Sequence, residues 1–168
     1  MLIILGGLPG CGKSTIAREV ARRLGALHIR IDTIEQALLR SGEAAGPIQV
    51  SGYVVGYAVA EDNLRLGRIV VADSVNPLAI TREAWLDVAR TVGVPALQVE
   101  LSCSDEREHR RRVETRVADI PGHAIPSWDE VATRDYRPWT GEVMKLDTAV
   151  LSVEQCVERI AEACQRKG

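Results

Sequence analysis

The stretch Gly7-Leu8-Pro9-Gly10-Cys11-Gly12-Lys13-Ser14-Thr15 constrains this chain more than any other. It reads Gly-x4-Gly-Lys-Ser, with an apolar or small run (Leu2 to Gly6) before it and a helical pattern (Ile16, Ala17, Val20, Ala21, Leu24) after it. That spacing between a strand and a helix is the signature of a phosphate-binding loop. Gly7, Gly10 and Gly12 let the backbone take dihedrals that a Cβ resists, so successive N–H groups can face phosphate oxygens. The helix that starts there adds its positive end to the same anion. Lys13 supplies a compact charge to β- and γ-phosphates, and the Ser14 hydroxyl can enter the shell of Mg²⁺. Pro9, Cys11 and Thr15 complete the loop around the nucleotide. The chain carries 18 Arg but only three Lys, so Lys13 is a choice of a point charge over the planar guanidinium used elsewhere.

Later aspartates at strand ends extend the site. Leu27 to Ile31 predict a second strand with Asp32 at its C-terminal end, followed by a helix over Thr33 to Arg40. Ligands of open parallel sheets bind at the carboxyl ends of strands, so Asp32 would face the phosphates. There it can take the proton of an attacking hydroxyl, or simply cap the helix. Ser41 to Gly52 read as a loop near the acceptor. Tyr53 to Leu66 predict a helix with Val55, Val59, Asn63 and Leu66 at helical spacing. Tyr53 and Tyr57 fall one turn apart, for packing or for stacking on an acceptor. Arg68 to Asp73 read as a strand buried on both faces. Its terminal Asp73 is placed to hold Mg²⁺ with Ser14, or else to cap or pair.

The second half alternates in the same way. Ile80 to Val92 predict a helix, with Arg82 expected at the surface, and Pro95 to Leu101 a fourth strand. Ser102 to Val117 predict a charged helix in which Arg112 and Arg116 share one face at i,i+4 spacing. Such a run is either a solvated face or a phosphate clamp. On the second reading, Arg111 or Arg112 covers the base and Arg116 contacts the transferring phosphate. Asp119 to Ser127 read as a connection, and Ser127 with Glu130 as a capping box opening a helix over Trp128 to Tyr136. Arg134 to Trp139 either line the acceptor pocket or fold the lid back. Glu142 to Leu146 predict the last strand, with Asp147-Thr148 where a purine could rest, and Ser152 to Cys164 a closing amphipathic helix. The result is five parallel strands with helices on both faces, an α/β three-layer architecture.

Totals set limits. A length of 168 residues and 46% hydrophobic content fit one globular domain spanning residues 1–168. The net charge of −2 excludes a global basic field for bulk nucleic-acid or membrane binding. An apolar run follows Met1 at once, so no leader segment is expected, and no run reaches the ~18 residues of a membrane span. Four cysteines without metal-ligand spacing favour a reduced, cytoplasmic setting. His28, His109 and His123 are expected to be structural or exposed rather than ligands. Cys11, beside a helix N-terminus, could have a lowered pKa.

Across essentially the whole chain, these residues resemble P-loop kinases of the nucleoside-monophosphate-kinase-like group. The layout is similar to its chloramphenicol phosphotransferase, zeta-toxin and polynucleotide 5′-kinase branch, often labelled AAA-type ATPases. The resemblance rests on Gly7 to Thr15, Ile29 to Ile34 with Asp32, Ile69 to Asn76 with Asp73, Arg111 to Arg116 and Leu146-Asp147-Thr148. It implies strand order 2-3-1-4-5, ATP with Mg²⁺, Asp32 as general base, Lys13, Arg112 and Arg116 as catalytic residues, and a short lid over residues 111–127. Arg111, Arg112 and Thr148 would hold the nucleotide, with Ser14 and Asp73 at the metal. One departure concerns the acceptor: polynucleotide kinases place an arginine three residues after this aspartate, whereas this chain has Glu35. That argues against a polyanionic acceptor. The chain also lacks room for the helical lid domain of AAA+ motors and lacks the Asn-Lys-x-Asp of GTPases. The expected activity is transfer of the γ-phosphoryl group of ATP to a hydroxyl of a small molecule. A polynucleotide 5′-kinase and a nucleotide-dependent switch are the alternatives. No interface signature indicates an oligomeric state.

Overall fold

The first strand, β1 (Leu2–Gly6), is buried along its whole length, as a central parallel strand covered on both faces must be. The structure, a computed structural model, describes residues 1–42 and 50–167. After β1 come α1 (Lys13–Leu24), β2 (Leu27–Arg30), α2 (Ile31–Ser41), α3 (Ser51–Arg65) and β3 (Val70–Asp73). The second half adds α4 (Ala79–Val92), β4 (Ala96–Ser102), α5 (Glu106–Thr115), α6 (Trp128–Ala132), β5 (Met144–Asp147) and α7 (Val153–Lys167). The five strands are all parallel, in the order β2-β3-β1-β4-β5 expected from the family resemblance. Among the described residues, no helix is long and apolar enough to cross a membrane.

Alternation along β1 divides the core. Ile3 and Leu5 join Ile16 and Val20 of α1 and Cys156 and Ile160 of α7 on one face. Leu2 and Ile4 join Ala60 and Leu64 of α3, Trp85 of α4 and Trp139 on the other. Period-2 strands and period-3.6 helices thus meet in two layers of apolar side chains around one sheet.

Several boundaries depart from the sequence reading. Strand β2 ends at Arg30, which pairs with Asp73, and Ile31 already belongs to α2. Asp32 therefore lies in the first turn of a helix rather than at a strand end, where a negative charge suits the helix dipole. Ser41 and Ser51-Gly52 belong to helices, and residues 43–49 of the expected loop lie outside the described residues. Helix α3 turns the opposite way from expectation. Its buried positions are Gly52, Gly56, Ala60 and Leu64, while Val55, Val59 and Leu66 are exposed. Close packing explains this: a Cβ at Gly56 would sit 2.5 Å from Ile31 Cδ1 and 3.5 Å from Trp85. Only small residues allow the helix that near. Helix α5 begins after its cap, Asp105, whose carboxylate accepts from Glu108 N–H at 3.1 Å, and Arg116 stands beyond its end in an extended conformation. Helix α6 has the expected capping box but stops at Ala132.

Arg82 is buried rather than exposed. It donates to the carbonyls of Asn76 (2.8 Å), Pro77 (2.7 Å), Arg137 (2.5 Å) and Pro138 (3.0 Å), and its guanidinium lies 4.6 Å from the Trp139 ring centroid. It thereby joins the turn after β3 to the strand-like segment before β5. Trp139 is held against Gly6, where a Cβ would overlap the indole. Gly6→Ala is expected to cost about 1–3 kcal/mol through overpacking, measured by chemical denaturation, with the fold retained.

Candidate active site

The loop between β1 and α1 turns on three glycines that carry positive φ, Gly7 at 141°, Gly10 at 86° and Gly12 at 88°. Gly10 also admits helix α5: a Cβ there would lie 2.6 Å from Val113 and 3.1 Å from His109. The buried His109 ring uses Nε2 to donate to the Pro9 carbonyl at 2.8 Å, and its other neighbour is Trp128 of α6, edge-on at 5.3 Å. Thr148, just past β5, shares its one hydroxyl proton between the carbonyls of Cys11 (3.1 Å) and Ser102 (3.0 Å). The Pro9 and Cys11 carbonyls are thus met by side chains from distant elements. Lys13 is buried, with Nζ 3.4 Å from the Leu8 carbonyl it donates to.

Asp73 ends β3 beneath Ser14, 2% exposed. Burial alone would raise its pKa, but the His28 ring, the Lys13 charge and the Ser14 hydroxyl outweigh it and hold the carboxyl below its usual range. His28 Nε2 lies 3.2 Å from Asp73 Oδ2, and Arg30 Nε lies 3.9 Å away. A carboxylate and a hydroxyl placed together against a phosphate loop are the hard oxygen donors that Mg²⁺ takes alongside phosphates and water. The residues present therefore fit that ion.

Three adjoining cavities surround the loop. The first, about 330 Å³, is lined by Gly10, Gly12, Lys13, Ser14 and Thr15 together with Arg18, Arg30, Arg112, Arg116 and Asp119. A second, about 340 Å³, lies between Gly12, Thr15, Ile16, Arg112, Thr148 and Leu151. The third, about 330 Å³, joins Lys13, Ser14 and Arg116 to Asp32, Glu35 and His123. In size and lining they can take phosphates, a base and an acceptor respectively.

Of the arginines singled out in the sequence, Arg112 and Arg116 reach the cavities. Arg112 donates to the Thr148 hydroxyl at 2.9 Å and to its carbonyl at 3.0 Å. Arg116 reaches its position from beyond the helix end, so the i,i+4 expectation does not describe it. Arg111 does not join them: it is exposed and paired with Glu108 at 2.7 and 2.8 Å, away from all three cavities. Cys11 contributes backbone alone, since its thiol is buried and burial pushes its pKa up rather than down. Tyr53 and Tyr57 pack with Trp85 in the core, the Tyr57–Trp85 centroids 4.5 Å apart, and neither lines the acceptor cavity.

Sequence reasoning missed Arg18, Arg30 and Asp119, whereas the three histidines were expected to be structural or exposed, and His109 is buried against the loop as a structural group. Asp119 accepts a bidentate pair from Arg30 (2.7 and 3.1 Å) and also meets Arg18 at 3.4 Å and Arg116 at 3.9 Å. The Arg30 guanidinium, opposed by burial, and the Arg18 charge take the Asp119 carboxyl down to about 2. His123 Nε2 lies 3.9 Å from Asp32 Oδ2. A signal was present for some of these. Arg18 lies one helical turn beyond Ser14, and His28 and Arg30 are two apart on a strand, hence on one face of the sheet beside Asp73. Nothing local ties Asp119 to Arg30, 89 residues away.

A family model described as an AAA domain matches residues 2–134. No curated protein matches the sequence significantly. Among solved structures, Chaetomium thermophilum Kti12 in complex with ADP-AlF3 is similar at TM-score 0.73 and 20% identity, covering 97% of this chain and 98% of the other. The Mycobacterium tuberculosis APS kinase CysC, in complex with AMPPNP and APS, gives 0.68 and 19%, covering 98% and 96%. A gluconokinase from Sinorhizobium meliloti 1021 gives 0.64 and 18%, covering 99% and 96%. At these identities the likeness establishes a P-loop kinase-like fold.

Two predictions follow from this geometry. His109→Ala removes the donor to the Pro9 carbonyl and is expected to weaken ADP binding about tenfold in a fluorescence titration, with His109→Gln recovering most of it. Asp119, depressed in the folded state, stabilises the protein above its unfolded pKa of about 3.9 and loses that contribution as pH falls through about 2. The difference in Tm between wild type and Asp119→Asn should therefore be present at neutral pH and vanish near pH 2.

Proposed function

The chain belongs to the AAA_33 family of AAA domains, and from that premise we propose that it is an ATP-dependent phosphotransferase acting on a hydroxyl of a small molecule. One observation carries the reading: Asp32 lines the same cavity as Lys13, Ser14 and Arg116, which also line the phosphate cavity. A hydroxyl bound there meets a carboxylate on one side and the phosphate site on the other. The similar structures support a small-molecule acceptor, since they include an APS kinase and a gluconokinase.

In the proposed reaction the hydroxyl proton passes to the Asp32 carboxylate as the acceptor oxygen bonds to the γ-phosphorus. The bond from that phosphorus to the bridging β–γ oxygen breaks, and ADP leaves. Lys13, Arg112 and Arg116 offset charge that spreads over the phosphoryl oxygens, and their guanidinium and ammonium groups are held before the substrate arrives. Thr148 orients Arg112 for this task. The base would rest in the cavity formed by Gly12, Thr15, Ile16, Thr148 and Leu151. Ser14 and Asp73 would hold Mg²⁺, which supplies Lewis-acid polarisation of phosphate oxygens when bound. The segment at Asp119 to Pro126 covers the acceptor cavity with His123, Ala124, Ile125 and Pro126 and limits the access of water.

The test is ADP release from Mg·ATP over pooled nucleosides, sugars, aminoglycosides, phenicols and oligonucleotide 5′ ends. Stimulation by one small-molecule pool is expected, and Asp32→Asn should slow it about 10²–10⁴-fold with nucleotide affinity unchanged. Full activity in Asp32→Asn would sink the base assignment. Tight nucleotide binding without stimulation by any pool would favour a nucleotide-dependent switch.

A further inference from the structure

We infer that Glu35 selects the acceptor, which is a hydroxylated amine whose ammonium group pairs with Glu35 while its hydroxyl faces Asp32. The inference rests on the phosphotransfer reading above and adds the chemical class of the substrate.

The charges lining the acceptor cavity have different commitments. Lys13 and Arg116 also face the phosphate cavity. Glu130 accepts from the Ser127 N–H and hydroxyl, both at 2.8 Å, in the capping box of α6. Arg134 is exposed. Glu35 is different: it is half-buried, lines the cavity, and has no hydrogen bond or ion pair among the described residues. Its position is nevertheless set. The side chain lies along the α-carbon of Gly52, where a Cβ would overlap Cγ and approach Oε1 to 3.0 Å. A carboxylate clamped in a half-buried place without a partner is a binding group awaiting a cation.

Spacing and charge define what that cation is attached to. Asp32 and Glu35 stand at i,i+3 on α2, about 5–6 Å apart at Cβ. An ammonium group a few bonds from the reacting hydroxyl spans that gap. Burial first, and then the charge of Asp32, raise the Glu35 pKa, and a bound cation offsets both effects. An anionic acceptor would instead face two like charges at close range. Val75, Ile125 and Pro126 supply the apolar wall for the carbon skeleton between the two polar ends.

The experiment compares amino sugars and amino alcohols with the same compounds lacking the amine. Each pair is assayed for ADP release and for thermal stabilisation of the protein with a non-hydrolysable ATP analogue. In the wild type at least one amine should exceed its neutral partner about tenfold or more in kcat/KM, the scale of one charge-assisted hydrogen bond. Glu35→Gln should erase that preference, so that the amine and its neutral partner are turned over alike, with nucleotide affinity retained. The inference is overturned if no amine exceeds its partner in rate or thermal shift, or if Glu35→Gln keeps the preference. Transfer to neutral acceptors that equals transfer to their amines and is lost in Asp32→Asn would remove the role of Glu35 and leave the phosphotransfer reading standing. Transfer indifferent to Asp32→Asn would remove that reading instead.

Discussion

A loop can point its N–H groups at an anion only if its carbonyls point elsewhere, and buried carbonyls must find donors. In this protein Lys13 meets that requirement at the Leu8 carbonyl, and two side chains from distant elements meet it elsewhere. His109 of α5 takes the carbonyl of Pro9, and Thr148 after β5 takes that of Cys11. The same two residues place the rest of the site. Thr148 accepts from and orients Arg112, which lies three residues beyond His109 on the same helix. The ring of His109 also backs onto Trp128, so the helix that closes over the acceptor cavity rests against the residue holding the phosphate loop. The phosphate loop, Arg112 and α6 are thus linked through His109 and Thr148.

Charge explains the remaining architecture. Lys13, Arg18, Arg30, Arg112 and Arg116 converge on one cavity, and Arg30 is largely buried, so repulsion and desolvation would be severe without an acid. Asp119 supplies it from the lid segment, reaching three of the arginines. A lid docked by such a carboxylate is held by the same cations that an incoming phosphate would attract. The adjoining cavity mixes both signs, with Asp32 and Glu35 on one face of α2 and Lys13, Arg116 and Arg134 also lining it. The phosphate loop thus stands between a mainly cationic cavity and one that carries both signs.

Much of this was legible locally. The glycine spacing, Lys13 and Ser14, the apolar strands ending at Asp73, and the capping box of Ser127 and Glu130 are short-range patterns whose meaning does not depend on distant residues. Errors arose where tertiary packing overrode periodicity. In α3 the valines formed a plausible helical stripe, yet Gly52, Gly56 and Ala60 face the core because only they allow the helix to lie against Ile31, Trp85 and Glu35. Arg82 read as a surface residue but fills a nest of four carbonyls that the chain assembles from segments more than fifty residues apart. Arg111 and Arg112 are adjacent in a uniform charged run, and the helix turn alone sends one to Thr148 and the other to solvent.

The sequence by itself therefore determined the class of fold, the phosphate loop and the aspartate beneath it, because strand–loop–helix geometry follows from spacing and backbone chemistry. Tertiary structure decided which arginines enter the site, that His28 meets Asp73, His109 the Pro9 carbonyl and His123 Asp32, and that Asp119 gathers Arg18, Arg30 and Arg116. Those assignments depend on contacts between residues tens of positions apart, and a direction in space is not encoded in composition or period. The acidic face at Asp32 and Glu35 belongs to both: its helical spacing is written in the chain, but that Gly52 of α3 packs against Glu35, which has no partner among the described residues, is decided by the fold.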